Sequence, residues 1–298
     1  MFKNVIVGVD GRSGGRDAVA LAQRLLAPQG RLTLVHVHLE TTAVVVHEFD
    51  SSAREEAQKM LEGEQAATGR EAELAHIGGT SVAVGLHRCA EEHRADLLIV
   101  GTCHRGVVGR VLAGDDARDS LQGAPCAVAI SPRGYGESPT PIETIGVGYD
   151  GSAKSHAALA RAGELAGGAD AEIHALILIA AVRFDGSKLA PMSSVMGTDP
   201  RLTDMLGQLN QLDRVTARAA YGSPVEELVT FGEEVDLLLL GARSEGRKGR
   251  LVIERIPRHL ARAVRCPLLI VPSSQHSQDP PGTAAPPEEA APRLERAQ

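Results

Sequence analysis

Aromatic residues are nearly missing from this chain. Phe, Tyr and Trp make up 2% of 298 residues, and Trp is absent. A core without them has to be built from Ala, Val, Leu and Ile, which suits a buried parallel sheet covered by small-residue helices. Cysteine is scarce too. Cys89, Cys103, Cys126 and Cys266 show no C-x-x-C spacing, so neither a zinc site nor a disulfide framework is expected, and free thiols fit a reducing cytoplasm. No apolar run approaches the ~20 residues of a membrane span. The opening MFKNVIVGVDG enters a strand directly and has no signal-peptide shape. Nor is positive charge in excess: the net charge of −7 argues against a nucleic-acid-coating role. The expectation is a cytoplasmic protein with no membrane and no nucleic-acid partner.

What is present is ordinary core material. Hydrophobic residues make up 43% and charged residues 23%, enough for about two domains at ~150 residues each. An internal repeat then decides the architecture. Asp10-Gly11 recurs as Asp150-Gly151, Asp96-Leu97-Leu98 as Asp236-Leu237-Leu238, and Cys126 as Cys266, each at an offset of 140 residues. The chain is two copies of one unit. The expected boundaries are a first domain over 1–131, a Pro-, Gly- and Ser-rich linker over 132–142, a second domain over 143–272, and a disordered Pro-, Ala- and Glu-rich tail over 273–298.

Strands alternate with helices in both copies. In the first, strands are expected at 5–9, 31–38, 71–76, 97–100 and 127–130, with helices at 14–26, 51–68 and from Thr80 to about 94. In the second, strands are expected at 145–149, 172–180, 215–219, 237–240 and 268–271, with helices at 154–166, from Arg201, and at 224–234. This alternation implies α/β architecture: two tandem open parallel five-stranded sheets with helices on both faces. The last strand of each copy is apolar on both sides and would be a vulnerable edge. The two units are therefore expected to pair through those strands about a pseudo-two-fold.

Ligands of such sheets bind beyond the carboxyl ends of the strands, where the strand order reverses. With strand one beside strand four, Asp10 and the loop after Gly101 meet there, as do Asp150 and the loop after Gly241 in the second copy. A carboxylate there suits a sugar hydroxyl or an adenine amino group, and glycine lets main chain approach phosphate. The plain alternative for each Asp is a tight Asp-Gly turn. His36 and His38 are expected on opposite sides of the second strand. His87 and His93 lie six apart, so no metal site is expected, and no nucleophile–base pair is legible.

These residues carry a family resemblance. VGVDGRS, VGTCHRGVVGRVLAG and APCAVAI in the first copy, with VGYDGS, LLGARSEGRKGR and CPLLIVP in the second, resemble the universal stress protein family over about residues 1–272. The resemblance implies an adenine nucleotide alpha hydrolase-like fold and a nucleotide pattern G-x2-G-x9-G-[S/T]. In the first copy that pattern falls on Gly101, His104, Gly114 and Asp115, with Asp10, Gly11 and Arg105 beside it. His104 replaces a glycine, and Asp115 replaces a hydroxyl, bringing like charge toward phosphate. In the second copy it falls on Gly241, Ser244, Glu254 and Arg255, and only the first glycine matches, so phosphate binding there is not expected.

Three functions follow in order of preference. The first is a stress-response regulator binding ATP or another adenine nucleotide weakly in the first domain, the second domain serving as support. The second is a non-nucleotide scaffold working by protein contact, for instance through the basic run Arg243–Arg255. The third is an ATP-pyrophosphatase-like enzyme, since Ser13-Gly14-Gly15-Arg16-Asp17 resembles the S-G-G-x-D-S loop of that class with Ala18 in place of its last serine. A binding protein is preferred over an enzyme. A homodimer is left open.

Overall fold

The computed structural model describes residues 1–39, 47–102, 120, 122–180, 200–245, 250–252 and 254–273. Val5, Ile6 and Val7 in the first strand, β1 (Phe2–Gly8), are all buried. Continuous apolar runs mark strands covered on both faces. The first repeat continues through α1 (Ser13–Leu25), β2 (Leu26–Leu39), α2 (His47–Thr68), β3 (Glu73–Gly79), α3 (Val82–Glu92), β4 (Leu97–Gly101) and β5 (Ala127–Ser131). The second repeat opens with β6 (Thr144–Tyr149), α4 (Ala153–Ala169), β7 (Glu172–Ala180), α5 (Pro200–Asn210) and β8 (Val215–Gly222). It closes with α6 (Pro224–Phe231), β9 (Leu237–Glu245), β10 (Arg250–Val252), α7 (Arg255–Ala263) and β11 (Leu268–Pro272).

The strand order is β3-β2-β1-β4-β5 in one repeat and β8-β7-β6-β9-β11 in the other. Pairing within each of these two groups is parallel, as the alternation of strands and helices requires. The two groups are joined edge to edge. Leu268, Leu269 and Ile270 pair antiparallel with Ile130, Ala129 and Val128. The last strands therefore cover one another's edges by a hydrogen-bonded ladder, and the two expected sheets form one continuous sheet.

Side chains alternate across that sheet. Val5, Val7, Leu97, Ile99, Leu237 and Leu239 face one layer, with α1 and α4. Ile6, Leu98, Val100, Leu238 and Leu240 face the other, with α3, α6 and α7. Both layers draw residues from both repeats, so the core runs unbroken across the β5–β11 joint. The repeated aspartates each tie down the first strand of their repeat. Asp96 accepts the main-chain N–H groups of Lys3 (2.8 Å) and Asn4 (2.9 Å), and Asp236 accepts those of Glu143 (3.0 Å) and Thr144 (2.8 Å).

Several expectations are corrected. Ser81, not Thr80, caps α3, its hydroxyl accepting from Val84 N–H at 3.2 Å. The fourth strand of the second repeat does not stop at Leu240. It runs to Glu245 and turns back as β10, with Leu251 opposite Ser244. That hairpin also reaches the other repeat, where Leu251 exchanges hydrogen bonds with Gly123 and Ala124 at 2.9 Å each. Helix α7 was not foreseen either. His36 and His38 are not on opposite sides. Residues two apart on a strand share a face, and both rings lie against His76 of β3, at 5.7 and 4.5 Å between centroids.

Candidate functional site

Each repeat carries a cavity where the strand order reverses. In the first it is about 270 Å3, bounded by Asp10, Gly14, Gly15, His36, Gly101 and Ser120 among others. In the second it is about 230 Å3, and Asp150, Lys154, Gly241 and Glu254 line it together with aliphatic side chains. Both volumes lie near the lower end of small-ligand pockets, on the order of 300 Å3.

The Asp-Gly pairs are turns in both repeats. Gly11 and Gly151 adopt φ of 73° and 75°, left-handed conformations that favour glycine. Asp10 Oδ1 accepts from Arg12 N–H at 3.1 Å, and Asp150 Oδ1 from Ser152 N–H at 3.0 Å. These bonds aim one carboxylate oxygen along the main chain and leave the group at the cavity mouth. Burial pushes the Asp150 carboxyl up, but bonds from the Ser152 side chain and main chain, a bond from Ser155 and the Lys154 charge together hold it below the usual carboxylate range.

Gly101 and Gly241 have a packing reason to be glycine. A Cβ on Gly101 would sit 1.8 Å from Gly14 O, and one on Gly241 would sit 1.8 Å from Lys154 O. In both repeats the first turn of the helix that follows the first strand, α1 or α4, rests on that glycine. Its presence in both copies therefore reports helix-on-sheet contact before it reports a ligand.

The two helix starts differ. The α1 N-cap, Arg12, makes no side-chain cap bond, so the cap leaves the first N–H groups of α1 untaken where Gly14 and Gly15 line the cavity. In the second repeat Ser152 caps α4 by accepting from Ser155 N–H. A built-in carboxylate also fills the mouth there. Lys154 Nζ lies 3.1 and 3.0 Å from the two oxygens of Glu254 and 3.9 Å from Asp150 Oδ2, and Arg243 Nε lies 3.6 Å from Glu254.

The structure thus brings Asp10 and Gly101 together, with Gly11 in the adjoining turn, and likewise Asp150 and Gly241 with Gly151. Ser244 is not in a loop beside the second cavity. It is buried in β9, because the strand continues through it. His104, Arg105, Gly114 and Asp115 lie outside the described residues. The chain on either side of them, Gly101 and Ser120, lines the first cavity. Ser120 O accepts from buried His87 Nε2–H at 2.8 Å, and burial depresses the His87 pKa. Sequence reasoning weighed Gly14-Gly15 only within the pyrophosphatase-like motif, not beside Asp10 and Gly101, and missed the Lys154–Glu254 pair. The paired glycines were a visible signal for the first, whereas nothing local marks the second.

Two other motifs resolve into structure. Asp17 of the Ser13–Asp17 motif is 2% exposed, and its carboxylate accepts from Gly134 N–H (3.0 Å) and Gly136 N–H (2.7 Å). It straps the chain between the repeats onto α1 and lines neither of the two strand-end cavities. Part of the basic run is paired, Arg247 and Lys248 lying outside the described residues. Arg243 meets Glu254, Arg250 meets Glu91 at 2.6 Å, and Arg258 meets Gln122 at 3.2 Å. No group of three or more His, Cys, Asp or Glu suited to a metal occurs among the described residues. Cys89, Cys126 and Cys266 are buried, and burial pushes their thiols up to about 11, 12 and 12.

The universal stress protein family model matches residues 1–132 and again residues 141–272. Universal stress proteins of Mycobacterium tuberculosis and Mycobacterium bovis are 35% identical to the chain over 116 residues, 39% of this chain and 39% of each relative. The chain thus spans well under half the length of those relatives. One from Thermus aquaticus is 28% identical over 135 residues, 98% of its own length. Among solved structures, a universal stress protein from Archaeoglobus fulgidus matches with a TM-score of 0.66 at 15% identity, over 91% of this chain and 98% of that one. A putative one from Pseudomonas aeruginosa matches with a TM-score of 0.58 at 14% identity, over 91% and 93%. At these identities the structural likeness concerns the fold.

Proposed function

The chain belongs to the universal stress protein family, and from that premise we propose that it is a cytoplasmic stress-response regulator whose first repeat binds ATP or another adenine nucleotide. One observation carries the reading. The first cavity lies at the carboxyl ends of β1 and β4, with the Asp10 carboxylate on one side and the uncapped start of α1 on the other. Unpaired N–H groups at a helix start attract phosphate, and a strand-end carboxylate suits sugar hydroxyls. In this reading Gly11 sets the Asp10 turn, and Gly101, His104, Arg105, Gly114 and Asp115 belong to the loop that meets the phosphates. Arg105 supplies positive charge there, and Asp115 weakens the site unless a cation intervenes. The protein acts by binding and not by turnover, and Asp17 is taken up by packing, which leaves the pyrophosphatase-like motif without its carboxylate.

A second reading, a scaffold without nucleotide, is favoured by the packing role of Gly101 and the turn role of Asp10, which account for both residues without a ligand. Titration of the full chain with a fluorescent adenine nucleotide separates the two. The first reading expects saturable binding that falls about tenfold or more in Asp10→Asn, which keeps the turn but loses the charge. No binding at millimolar nucleotide rejects it in favour of the scaffold, and binding untouched by Asp10→Asn rejects the Asp10 site.

A further inference from the structure

A groove of about 510 Å3 opens at the end of the sheet away from the strand-end cavities, ahead of β9 and β11. The chain between the repeats contributes Pro132, Arg133 and Tyr135 to it, and the second repeat contributes Val235, Arg265 and Pro267. The first of these sides is fixed before anything binds. Asp17 holds Gly134 and Gly136, Arg24 donates to Pro139 O at 3.1 Å, and Tyr135 O–H donates to Thr140 O at 3.3 Å. A preformed wall lowers the ordering cost of binding. Arg133 and Arg265 are exposed, and neither forms a hydrogen bond or ion pair among the described residues. The 140-residue offset puts Ser273 and Pro125 at the matching positions of the other copy, so the unit does not need these cations to fold. Two carboxylates line the groove as well. Asp236 is taken up by the Glu143 and Thr144 N–H groups and the Thr144 hydroxyl, whereas exposed Glu233 stands against an acidic ligand.

We propose that this groove holds an acidic segment of the same chain, Pro286-Pro287-Glu288-Glu289, with its glutamates on Arg133 and Arg265. The segment lies outside the described residues, and its reach and chemistry match the groove. Arg265 and Pro267 precede β11, a strand of five residues and so roughly 17 Å long, and the chain leaves its other end at Pro272. Glu288 lies 15 residues beyond Ser273. A coil of that length spans about 20 Å, close to the separation it must bridge, so the tether keeps the segment near the groove at roughly millimolar effective concentration. Paired prolines favour the extended polyproline II form, which docks on grooves lined by aromatic side chains. Tyr135, with Pro132 and Pro267, supplies such a lining. Two carboxylates then follow where two guanidiniums lack partners. Nucleic acid suits the groove less, given Glu233 and a net charge of −7. The inference stands whether or not the first cavity takes a nucleotide, because groove and cavity lie at opposite ends of the sheet.

The rate of trypsin cleavage after Arg293 in the full chain, read by intact mass, tests it. Docking should protect that bond. Arg133→Gln with Arg265→Gln, or Glu288→Gln with Glu289→Gln, should speed cleavage about threefold or more. Salt near ~1 M, where screening acts beyond about 3 Å, should speed it in the parent chain and not in either double variant. Glu233→Gln should slow it. Urea midpoints check that each variant folds, and a free peptide of residues 280–298 should be cut at the same rate with and without the glutamate exchanges. A labelled peptide of residues 283–292 should bind the Glu288→Gln, Glu289→Gln chain, whose own segment has let go, and lose that binding when Arg133→Gln and Arg265→Gln are added. Equal cleavage rates in the parent and both double variants, or no peptide binding at millimolar concentration, overturns the proposal. A foreign acidic peptide or a single-stranded oligonucleotide that binds the parent groove without speeding cleavage also overturns it, because the groove would then be open.

Discussion

Replacing Gly241 by alanine separates a glycine kept for packing from one kept for a ligand. The added Cβ would lie 1.8 Å from Lys154 O. Nonbonded carbon and oxygen need roughly 3.2 Å, so sheet and helix must part by about 1.4 Å. The opposing atom is main chain in the first turn of α4 and cannot rotate away. Overpacking of well-filled interiors costs about 1–3 kcal/mol, and an immovable neighbour places this case at or beyond about 3 kcal/mol. Gly101→Ala meets Gly14 O at the same 1.8 Å and should cost a similar amount. Urea unfolding followed by circular dichroism reads both, and at about 2–4 °C per kcal/mol the melting temperature should fall by about 6–12 °C in each. The reasoning predicts equal damage in the two repeats, although α1 starts uncapped and Ser152 caps α4. Gly241→Ala within about 0.5 kcal/mol of the parent protein would refute it, and would return these glycines to a role in ligand approach.

Other outcomes follow from the same contacts. Asp17→Ala strands two N–H groups of the strap between the repeats, so it should cost about 2–4 kcal/mol and speed limited proteolysis of that segment relative to the parent. His87 is held neutral below the pH at which an unfolded chain takes up its proton, about 6.5. Stability should therefore fall as pH drops through 6.5, and His87→Gln should flatten that part of the urea-midpoint profile; an unchanged slope would assign the loss to other groups. Arg250 bonds Glu91 and Gly123 O of the other repeat. A double-mutant cycle of Arg250→Ala with Glu91→Ala should show coupling of up to about 1 kcal/mol, as for partly exposed pairs, and zero coupling would deny the bridge. Cys89, Cys126 and Cys266, with thiols pushed up to about 11, 12 and 12, should resist alkylation at pH 8 until the protein unfolds, as mass spectrometry of the labelled peptides would show.

Much of the fold was legible because its signals are local. Apolar runs such as Leu97–Val100 and Leu237–Leu240 need only their own neighbours to be read as buried strands. The Asp-Gly turns were equally readable, since left-handed glycine after an aspartate is a two-residue property. Strand ends were less so. Nothing in Ala242-Arg243-Ser244-Glu245 stops β9, and only pairing with β10 shows that it continues. The partners of the basic run were not legible because they are remote: Glu91 lies 159 residues from Arg250. The histidines misled for a simpler reason, since positions 36 and 38 share a face by the period-two rule itself.

The sequence by itself determined that there are two copies of one α/β unit, which segments are strands, and where a carboxylate ends the first strand of each. Periodicity and the 140-residue offset carry that much, because they are written along the chain. Pairing through the last strands was already expected from their apolar edges; only the tertiary structure decided that it is an antiparallel ladder of β5 and β11 that makes one continuous sheet. It alone gave Gly101 and Gly241 a packing role and Asp17 its strap, and it set Glu254 against Lys154 across 100 residues. Those choices rest on which distant groups come within a few ångströms, and distance through space has no local signature in the order of residues.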